Sequence, residues 1–213
     1  QSDEDGHTIL CTFESTGAVL PSGPALSSAL ARYVRDGESD RIGRRILEVG
    51  PGTGAATRYI VRAMRDGDRL VLVERNAEFV ARLRDRLATD ATYHNLSDRI
   101  ELRHGSVEDV PEDLPFDIIV SGLPLNNFSA TLVEQILNKL GRLLTPGGTL
   151  SFFEYIAVRR VKASLSKPAE RDRLRAIGAL LDQFLDRREI HRDRVLANIP
   201  PAWVHHVRLT TDD

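Results

Sequence analysis

The sequence predicts an α/β fold with a doubly wound, mostly parallel seven-stranded sheet, covered by helices on both faces as an α-β-α sandwich. Short apolar runs alternate with amphipathic helical segments, and seven of these runs have the length of a strand. The first run leads directly into a turn with three alternating glycines and then into a helix. The 213 residues are enough to bury one full core. In an open sheet of this kind, ligands bind beyond the carboxyl ends of the strands.

The first 40 residues are predicted to form a segment and helix that cap the ligand site, and residues 41–213 to form the domain that carries it. A turn-rich stretch, Gly17–Pro24, precedes a predicted helix over Ala25–Val34, with Pro24 near its first turn. The polar residues 36–45 then connect this helix to the first strand.

The remaining elements follow from hydrophobic periodicity and turn signals. Strands are predicted over 46–49, 69–74, 100–102, 116–120, 149–153, 194–199 and 204–209. Helices are predicted over 55–64, 78–87, 132–140 and 169–185. Each predicted helix has apolar residues three or four positions apart, so each can bury one face against the sheet.

Composition and charge exclude several classes of protein. Charged residues make up 28% of the chain and the formal net charge is −2, so no overall positive field points to nucleic acid. The single cysteine, Cys11, cannot form an intramolecular disulfide and fits a reducing cytoplasm. No apolar run approaches the ~20 residues that cross a bilayer. The sequence predicts no metal site.

The glycine-rich turn after the first strand is compatible with two kinds of ligand. A dinucleotide site needs G-x-G-x-x-G/A, which Gly50, Gly52 and Ala55 supply. Glu48 and Gly54 argue against it, because a carboxylate two residues before the first glycine would crowd a phosphate. That carboxylate suits a ligand with positive charge near the turn, and S-adenosylmethionine carries an ammonium and a sulfonium but no phosphate.

The stretch Glu48-Val49-Gly50-Pro51-Gly52-Thr53-Gly54 resembles motif I, E/D-x-G-x-G-x-G, of the class I S-adenosylmethionine-dependent methyltransferases. The resemblance implies a Rossmann-like methyltransferase domain over residues 41–213. It also implies that S-adenosyl-L-methionine is the cofactor and S-adenosyl-L-homocysteine the product. Glu48, Gly50, Gly52 and Gly54 are then cofactor-binding residues.

Polar residues at the ends of the next strands complete the predicted cofactor site. Glu74 ends the second strand and can accept hydrogen bonds from both ribose hydroxyls, and Asn76 can border the same pocket. Ser106 and Val107 follow the third strand, and Ser121 ends the fourth, above which methyl donor and acceptor should meet. Many methyltransferases have an acid at the Ser106 position, so the contact with the adenine amino group is predicted to pass to other groups.

The loop after the fourth strand separates the methyltransferase subfamilies. Adenine N6-methyltransferases carry Asn/Asp-Pro-Pro-Tyr there, and ribosomal RNA dimethylases carry Asn-Leu-Pro-Tyr. Aligned on Pro124, this chain has Gly122 in place of the amide and Leu125 in place of the aromatic. A flipped adenine would have little to hold it, so the acceptor pocket is predicted to be small and apolar.

Three further pieces resemble the bacterial phospholipid N-methyltransferases: Gly17–Ser22, Val120–Pro124 and Phe153–Tyr155. The resemblance implies methylation of the amine of phosphatidylethanolamine and its methylated forms, and ornithine-lipid N-methyltransferases share the pattern.

The substrate-binding residues that this resemblance implies are Ser22, Gly122, Leu123, Pro124 and Tyr155. Tyr155, with Glu154 beside it, is also the candidate for accepting the proton of the amine. His205 and His206 face opposite sides of the last strand and are predicted to be structural.

The predicted partners are a lipid substrate at the membrane surface and anionic head groups, with no nucleic acid, for a monomer bound peripherally to the cytoplasmic face of the membrane. Residues 156–195 carry eleven bases and six acids, whereas residues 1–40 carry seven acids and two bases. Arg159, Arg160, Lys162 and Lys167 are the candidates for head-group contacts.

Three alternatives stay open. An rRNA adenine dimethyltransferase is disfavoured by Gly122 and Leu125, and an NAD(P)-linked oxidoreductase is disfavoured by Glu48. A binding module that kept the pocket but lost the chemistry is the third.

Overall fold

A computed structural model describes residues 22–37, 42–156 and 168–209 of the chain. Seven strands form one sheet with the spatial order β3-β2-β1-β4-β5-β7-β6, which confirms the predicted fold class. The strands are β1 (Arg45–Val49), β2 (Arg69–Glu74), β3 (Ile100–His104), β4 (Phe116–Ser121), β5 (Leu144–Tyr155), β6 (Glu189–Val195) and β7 (Ala202–Arg208).

Helices cover both faces of this sheet. They are α1 (Pro24–Leu30), α2 (Arg32–Asp36), α3 (Thr57–Ala63), α4 (Ala77–Thr89), α5 (Ala91–His94), α6 (Ala130–Arg142) and α7 (Pro168–Leu185). Short 3₁₀ helices span Val107–Asp109 and Leu125–Asn127. None of the helices in the described ranges is long and apolar enough to cross a bilayer.

The strand directions place one edge of the sheet at the site. Strands β1 to β5 are parallel, and β7 is antiparallel to both β5 and β6. Ala202, the first residue of β7, pairs with Tyr155 on one side and with Val195 on the other. The β6–β7 loop therefore lies at the same edge as the carboxyl ends of β1 to β5, and we call this the carboxyl edge.

The core has two halves, one on each face of the sheet. One half packs α6 and α7 against residues such as Leu47, Ile119 and Phe152. The other packs α1 and α3 against residues such as Ile46, Val120 and Phe153. Helix α1 thus shares a core with the sheet, and the predicted domain boundary at residue 40 stays a prediction. Segment Gly17–Pro21 and the basic residues Arg159, Arg160, Lys162 and Lys167 lie outside the described residues.

Three elements differ from their predictions in number or by more than two residues at an end. The predicted helix over 25–34 is two helices, because the backbone of Ala31 leaves the helical region between α1 and α2. Strand β5 starts at Leu144, before the predicted strand over 149–153. The prediction for β6 is wrong at both ends, because residues 189–194 are mostly polar and give no apolar run. They form the outer strand of the sheet through pairing with β7, with much of their surface exposed.

A buried ion pair joins the starts of β1 and β2 at the opposite edge of the sheet, where the parallel strands begin, and we call this the amino edge. Arg44 and Asp68 have fully buried side chains, and Nη2 of Arg44 donates to Oδ2 of Asp68 at 2.6 Å. The amides of Arg44 and Arg65 also donate to this carboxylate, at 3.0 and 2.8 Å. Burial opposes ionisation of Asp68, but these hydrogen bonds outweigh burial and lower its pKa.

Replacing Asp68 with asparagine should destabilise the fold by about 3–5 kcal/mol, because Arg44 would keep an uncompensated buried charge. Because folding lowers the pKa of Asp68, the stabilisation is present above the unfolded pKa, ~3.9, and is lost as pH falls below it. Urea unfolding of Asp68→Asn measures the loss. The matched control is Glu101→Gln, which breaks the exposed pair with Arg103 and should cost under about 1 kcal/mol. Equal effects in the two variants would contradict this assignment.

Candidate active site

The turn between β1 and α3 has one glycine that faces open space. Gly52 has φ +56°, and a Cβ built on it would meet no atom within 4 Å. A Cβ on Gly50 would lie 2.7 Å from Cδ2 of Leu123, and one on Gly54 would lie 3.0 Å from Cδ2 of Leu83. Packing within the protein therefore explains Gly50 and Gly54, whereas Gly52 leaves room for a ligand to approach the backbone.

Glu74 connects the end of β2 to this turn. Its Oε2 accepts a hydrogen bond from the Gly52 amide at 2.9 Å, and its Oε1 accepts one from the Asn76 amide at 2.8 Å. The buried carboxylate thus lies beside the open space at Gly52, where ribose hydroxyls could reach it. The same arrangement disfavours a dinucleotide, because the turn amide that would bind a pyrophosphate already holds an anion.

A cleft with a cavity volume of about 80 Å³ opens next to Glu74, on the face of the sheet that α6 covers. Ser106 and Val107 border it, and Leu123 of the β4 loop lies on its other side. Its remaining walls are mainly apolar, with Val49, Val73, Phe128, Leu132 and Ile136, and Glu108 adds a second carboxylate. This lining, mainly apolar with a few polar groups, is typical of sites for small organic ligands and suits the adenosine part of the cofactor.

Two predicted cofactor residues have their side-chain oxygens engaged elsewhere. The Asn76 side chain caps α4, where it accepts from the amides of Glu78 and Phe79 at 2.8 and 3.2 Å. Ser121 is fully buried, and its Oγ accepts from the Leu123 amide at 3.4 Å. Both residues position the backbone around the cleft, and neither is among the residues that line it.

Glu48 lies on the other face of β1, beneath the start of α3. Its side chain is fully buried, and neither carboxylate oxygen has a hydrogen-bond partner. Burial raises its pKa to about 8; the nearby Thr57 hydroxyl offsets part of this effect, and the Glu74 carboxylate adds a little to it. A buried acid without a partner is the group that a cationic ligand would stabilise in its charged form, which agrees with the predicted role of Glu48.

The loop after β4 packs directly against the glycine turn. The Gly122 amide donates to the Val49 carbonyl at 2.8 Å, and a Cβ on Gly122 would lie 2.5 Å from the Gly50 carbonyl oxygen. Only glycine at position 122 permits this contact, so Gly122 determines the loop's position. Pro124 then precedes the 3₁₀ helix Leu125–Asn127.

Asn126, in that 3₁₀ helix, is a polar residue that the sequence analysis did not single out. It is only 2% exposed, and neither its Oδ1 nor its Nδ2 has a hydrogen-bond partner among the described residues. A buried amide without partners is costly for the fold, which makes Asn126 a candidate for a ligand contact, although it is not among the residues that line the cleft. The available signal was an asparagine directly after an apolar loop at the end of a central strand.

Tyr155 is poorly suited to the predicted role of proton acceptor. It lies on the face of β5 that bears Phe153, with ring centroids 5.1 Å apart, and packs against the core half that contains α1. Burial raises the pKa of its hydroxyl above the usual range. Ser22, the other predicted substrate residue outside the β4 loop, precedes α1, and its carbonyl accepts from Oγ of Ser27 at 3.3 Å.

Glu154, on the opposite face of β5, has a different environment. It is buried, and its Oε1 lies 3.4 Å from Nε2 of His205. Nδ1 of His205 lies 2.6 Å from Oε1 of Glu189, whose side chain is 25% exposed. A carboxylate, an imidazole and a second carboxylate therefore run from the carboxyl edge of β5 towards solvent.

His206 joins a second polar cluster, on the other face of β7. Its Nδ1 lies 2.7 Å from Oγ of Ser151 and its Nε2 lies 3.1 Å from Oδ2 of Asp193, which also binds Arg32. Burial lowers the pKa of His206 to about 4, so the ring is neutral at pH 7. Ser151 and His206 are fully buried, so this Ser-His-Asp arrangement cannot reach a substrate and connects α2, β5, β6 and β7 instead. Within the described ranges, no group of three or more His, Cys, Asp or Glu side chains is arranged so that it could hold a metal ion.

The comparisons with known proteins agree with this site. A family profile described as a methyltransferase domain matches residues 46–148. An O-methyltransferase from Bacillus cereus, solved in complex with S-adenosylhomocysteine, superposes with a TM-score of 0.61 at 17% identity, covering 97% of this chain and 90% of that one. Together with the glycine turn, Glu74 and the cleft, these matches define the fold class of the S-adenosylmethionine-dependent methyltransferases.

Sequence relatives place the chain within that class. It is 30% identical over 140 residues to an ornithine lipid N-methyltransferase of Singulisphaera acidiphila, covering 63% of this chain and 67% of that protein. It is also 30% identical over 125 residues to a ubiquinone/menaquinone biosynthesis C-methyltransferase of Hahella chejuensis, covering 58% of this chain but only about half, 48%, of that protein. The chain belongs to the class I S-adenosylmethionine-dependent methyltransferases, and S-adenosylmethionine is its cofactor.

Gly52→Val should abolish cofactor binding, because the added side chain occupies the ligand's place. The positive φ of Gly52 strains any side chain, so the variant should also lose some stability, and the control should share this loss. Gly147→Val is a matched control, since Gly147 also has positive φ, +76°, and also faces open space, but lies at the amino edge. Calorimetry with S-adenosylhomocysteine and thermal unfolding measure the two effects. Equal affinity in both variants would contradict the placement of the ligand at Gly52.

Glu48→Gln should change how stability depends on pH. Because folding raises the pKa of Glu48 from 4.5 to about 8, the folded protein must hold a proton that the unfolded chain releases in this range. Wild-type stability should therefore fall relative to Glu48→Gln as pH rises from about 5 to about 8, and the difference should then stay constant. Thermal unfolding of both proteins across this range tests the expectation, and parallel pH profiles would show that Glu48 is ionised in the fold.

Proposed function

We propose that the protein transfers methyl groups from S-adenosylmethionine to the amine of a membrane lipid head group, either phosphatidylethanolamine and its methylated forms or an ornithine lipid. The observation that carries the proposal is the β4 loop, in which Asn126, a buried amide with no hydrogen-bond partner among the described residues, directly follows the buried Leu125. Gly122 and Leu125 stand where adenine methyltransferases have an amide and an aromatic residue, so the loop suits a small amine better than a flipped base. The similarity to the ornithine lipid N-methyltransferase supports the same substrate class.

The chain's own residues would hold the acceptor and remove its proton. The bound cofactor supplies an electrophilic methyl group, so the protein mainly has to position a neutral amine in line with it. Oδ1 of Asn126 can accept an N–H hydrogen bond from that amine and so orient its lone pair. The acceptor ammonium must first lose a proton, and Glu154, backed by His205 and Glu189, is a better acceptor for this proton than Tyr155. The bond between nitrogen and the methyl carbon would then form as the bond between sulfur and that carbon breaks, and S-adenosylhomocysteine would leave.

A lipid panel tests the proposed substrate class. The protein is incubated with methyl-labelled S-adenosylmethionine and, separately, with phosphatidylethanolamine, an ornithine lipid, a demethylated quinol and unmodified ribosomal RNA. We expect label in an N-methylated lipid. Label in the quinol would favour the chemistry of the C-methyltransferase relatives, and label in RNA would favour adenine methylation; either result without lipid methylation overturns the proposal.

Asn126→Leu should separate function from stability. The change keeps the number of side-chain heavy atoms and removes a buried amide without partners, which offsets the cost of fitting the larger leucine, so the unfolding temperature should change little. Lipid methylation should nevertheless fall at least about tenfold in kcat/KM, which corresponds to ~1.4 kcal/mol of transition-state stabilisation. The neighbouring Asn127 is exposed, and Asn127→Leu is the matched control. A loss of stability with full activity in Asn126→Leu would show that its role is structural.

A further inference from the structure

The β6–β7 loop carries two strongly exposed aliphatic side chains at the carboxyl edge of the sheet. Leu196 is 58% exposed and Ile199 is 80% exposed. The other exposed large apolar residues in the described ranges are Ile42 and Leu114, which precede β1 and β4, and Ile190, near the start of β6. Isolated exposed apolar residues need no explanation, but two on one loop at the edge that bears the active site define a candidate contact surface.

This loop lies close to where an acceptor must enter. Its two ends, Val195 and Ala202, pair with each other, and Ala202 also pairs with Tyr155. Three strand spacings separate β6 from β4, which is about 14 Å across the sheet. A surface that the loop touches would therefore also lie near the β4 loop.

The loop is held in place by Asn198, which is buried. Its Oδ1 accepts from the Gly23 amide at 3.0 Å, and its Nδ2 donates to the Pro200 carbonyl at 2.8 Å. The backbone is thus fixed to the start of α1, while Leu196 and Ile199 point into solvent. Because the loop is already ordered, inserting these side chains elsewhere requires little additional ordering of the chain.

Cations and an aromatic ring lie next to the apolar residues. The guanidinium groups of Arg192 and Arg194 stack on the ring of Trp203, at 4.8 and 5.6 Å from its centroid. Tryptophan and arginine beside exposed aliphatic side chains are typical of the boundary between water and the hydrocarbon of a bilayer. The positive charges complement anionic phospholipid head groups.

We propose that Leu196, Ile199, Trp203, Arg192 and Arg194 form a membrane-contacting tip that inserts its two aliphatic side chains into an anionic phospholipid bilayer. The inference rests on the proposed function only in that an enzyme for lipid head groups must reach the bilayer surface. The tip would hold the carboxyl edge against the membrane, so that a head group can reach Asn126 without leaving the bilayer.

Vesicle sedimentation without any amino lipid tests the tip independently of catalysis. The vesicles contain phosphatidylcholine and phosphatidylglycerol in roughly a three-to-one ratio, so that the surface is anionic. The variant Leu196→Ser with Ile199→Ser should bind at least about tenfold more weakly than the wild type, because it loses apolar area that enters the bilayer. The control Ile42→Ser with Leu114→Ser changes two equally exposed residues at the opposite edge and should bind within about twofold of the wild type.

Trp203, the only tryptophan of the chain, gives a second measurement on the wild-type protein. Its emission should shift to shorter wavelength on vesicle binding, and brominated phosphatidylcholine should quench it. Vesicle binding without quenching, or an equal loss of vesicle affinity in the two double-serine variants, would overturn the proposed membrane-contacting tip. So would a change in oligomeric state of Leu196→Ser with Ile199→Ser at unchanged vesicle affinity, which would indicate a contact between copies of the chain.

The two proposals fail in distinguishable ways. Vesicle binding that depends on Leu196 and Ile199, combined with no methylation of any amino lipid, would support the membrane-contacting tip and overturn the proposed function. Methylation of detergent-dispersed lipid, combined with vesicle binding that does not change in the Leu196→Ser with Ile199→Ser variant, would support the proposed function and overturn the membrane-contacting tip.

Discussion

The site depends on the pairing of β1 with a parallel strand on each side. Val49 pairs with Val73 of β2 and with Ser121 of β4, so three strands end at the same level. That register brings Gly52 to Glu74 and brings the Gly122 backbone against Gly50. A shift of one residue in either pairing would turn alternate side chains to the opposite face and separate these groups. The cofactor cleft is therefore a consequence of sheet register more than of any single side chain.

The electrostatics of this edge set it apart from sites for phosphate-containing ligands. The Gly52 amide holds the Glu74 carboxylate, and Glu48 lies buried without a partner on the other face of β1. A pyrophosphate would meet negative charge at the place where a dinucleotide site offers free amides. A ligand with a sulfonium and an ammonium meets acceptors there instead, which gives a physical reason for the family assignment.

The two edges of the sheet have different physical properties. At the amino edge, the Arg44–Asp68 pair satisfies its carboxylate with several donors and joins β1 to β2. At the carboxyl edge, Asn126 and Glu48 are buried with no hydrogen-bond partner among the described residues, and the exposed Leu196 and Ile199 lie at the same edge. Groups that cost stability are found at the edge where a ligand or a surface could satisfy them, as is common for functional sites.

The fold class and the glycine turn could be predicted from the sequence, because apolar strands and alternating glycines are local patterns with a physical meaning. The contact of Glu74 with the ribose stays a prediction. The sequence also indicated Ser106, Val107 and the β4 loop, since the carboxyl ends of parallel strands meet at one edge. The tertiary structure was needed to show that the Asn76 side chain caps a helix, that Tyr155 packs in the core half containing α1, and that Asn126 is buried with no partner among the described residues. It was also needed to show that the mostly polar residues 189–195 form an edge strand. These features depend on which distant backbone lies opposite each residue, and no local periodicity records that information.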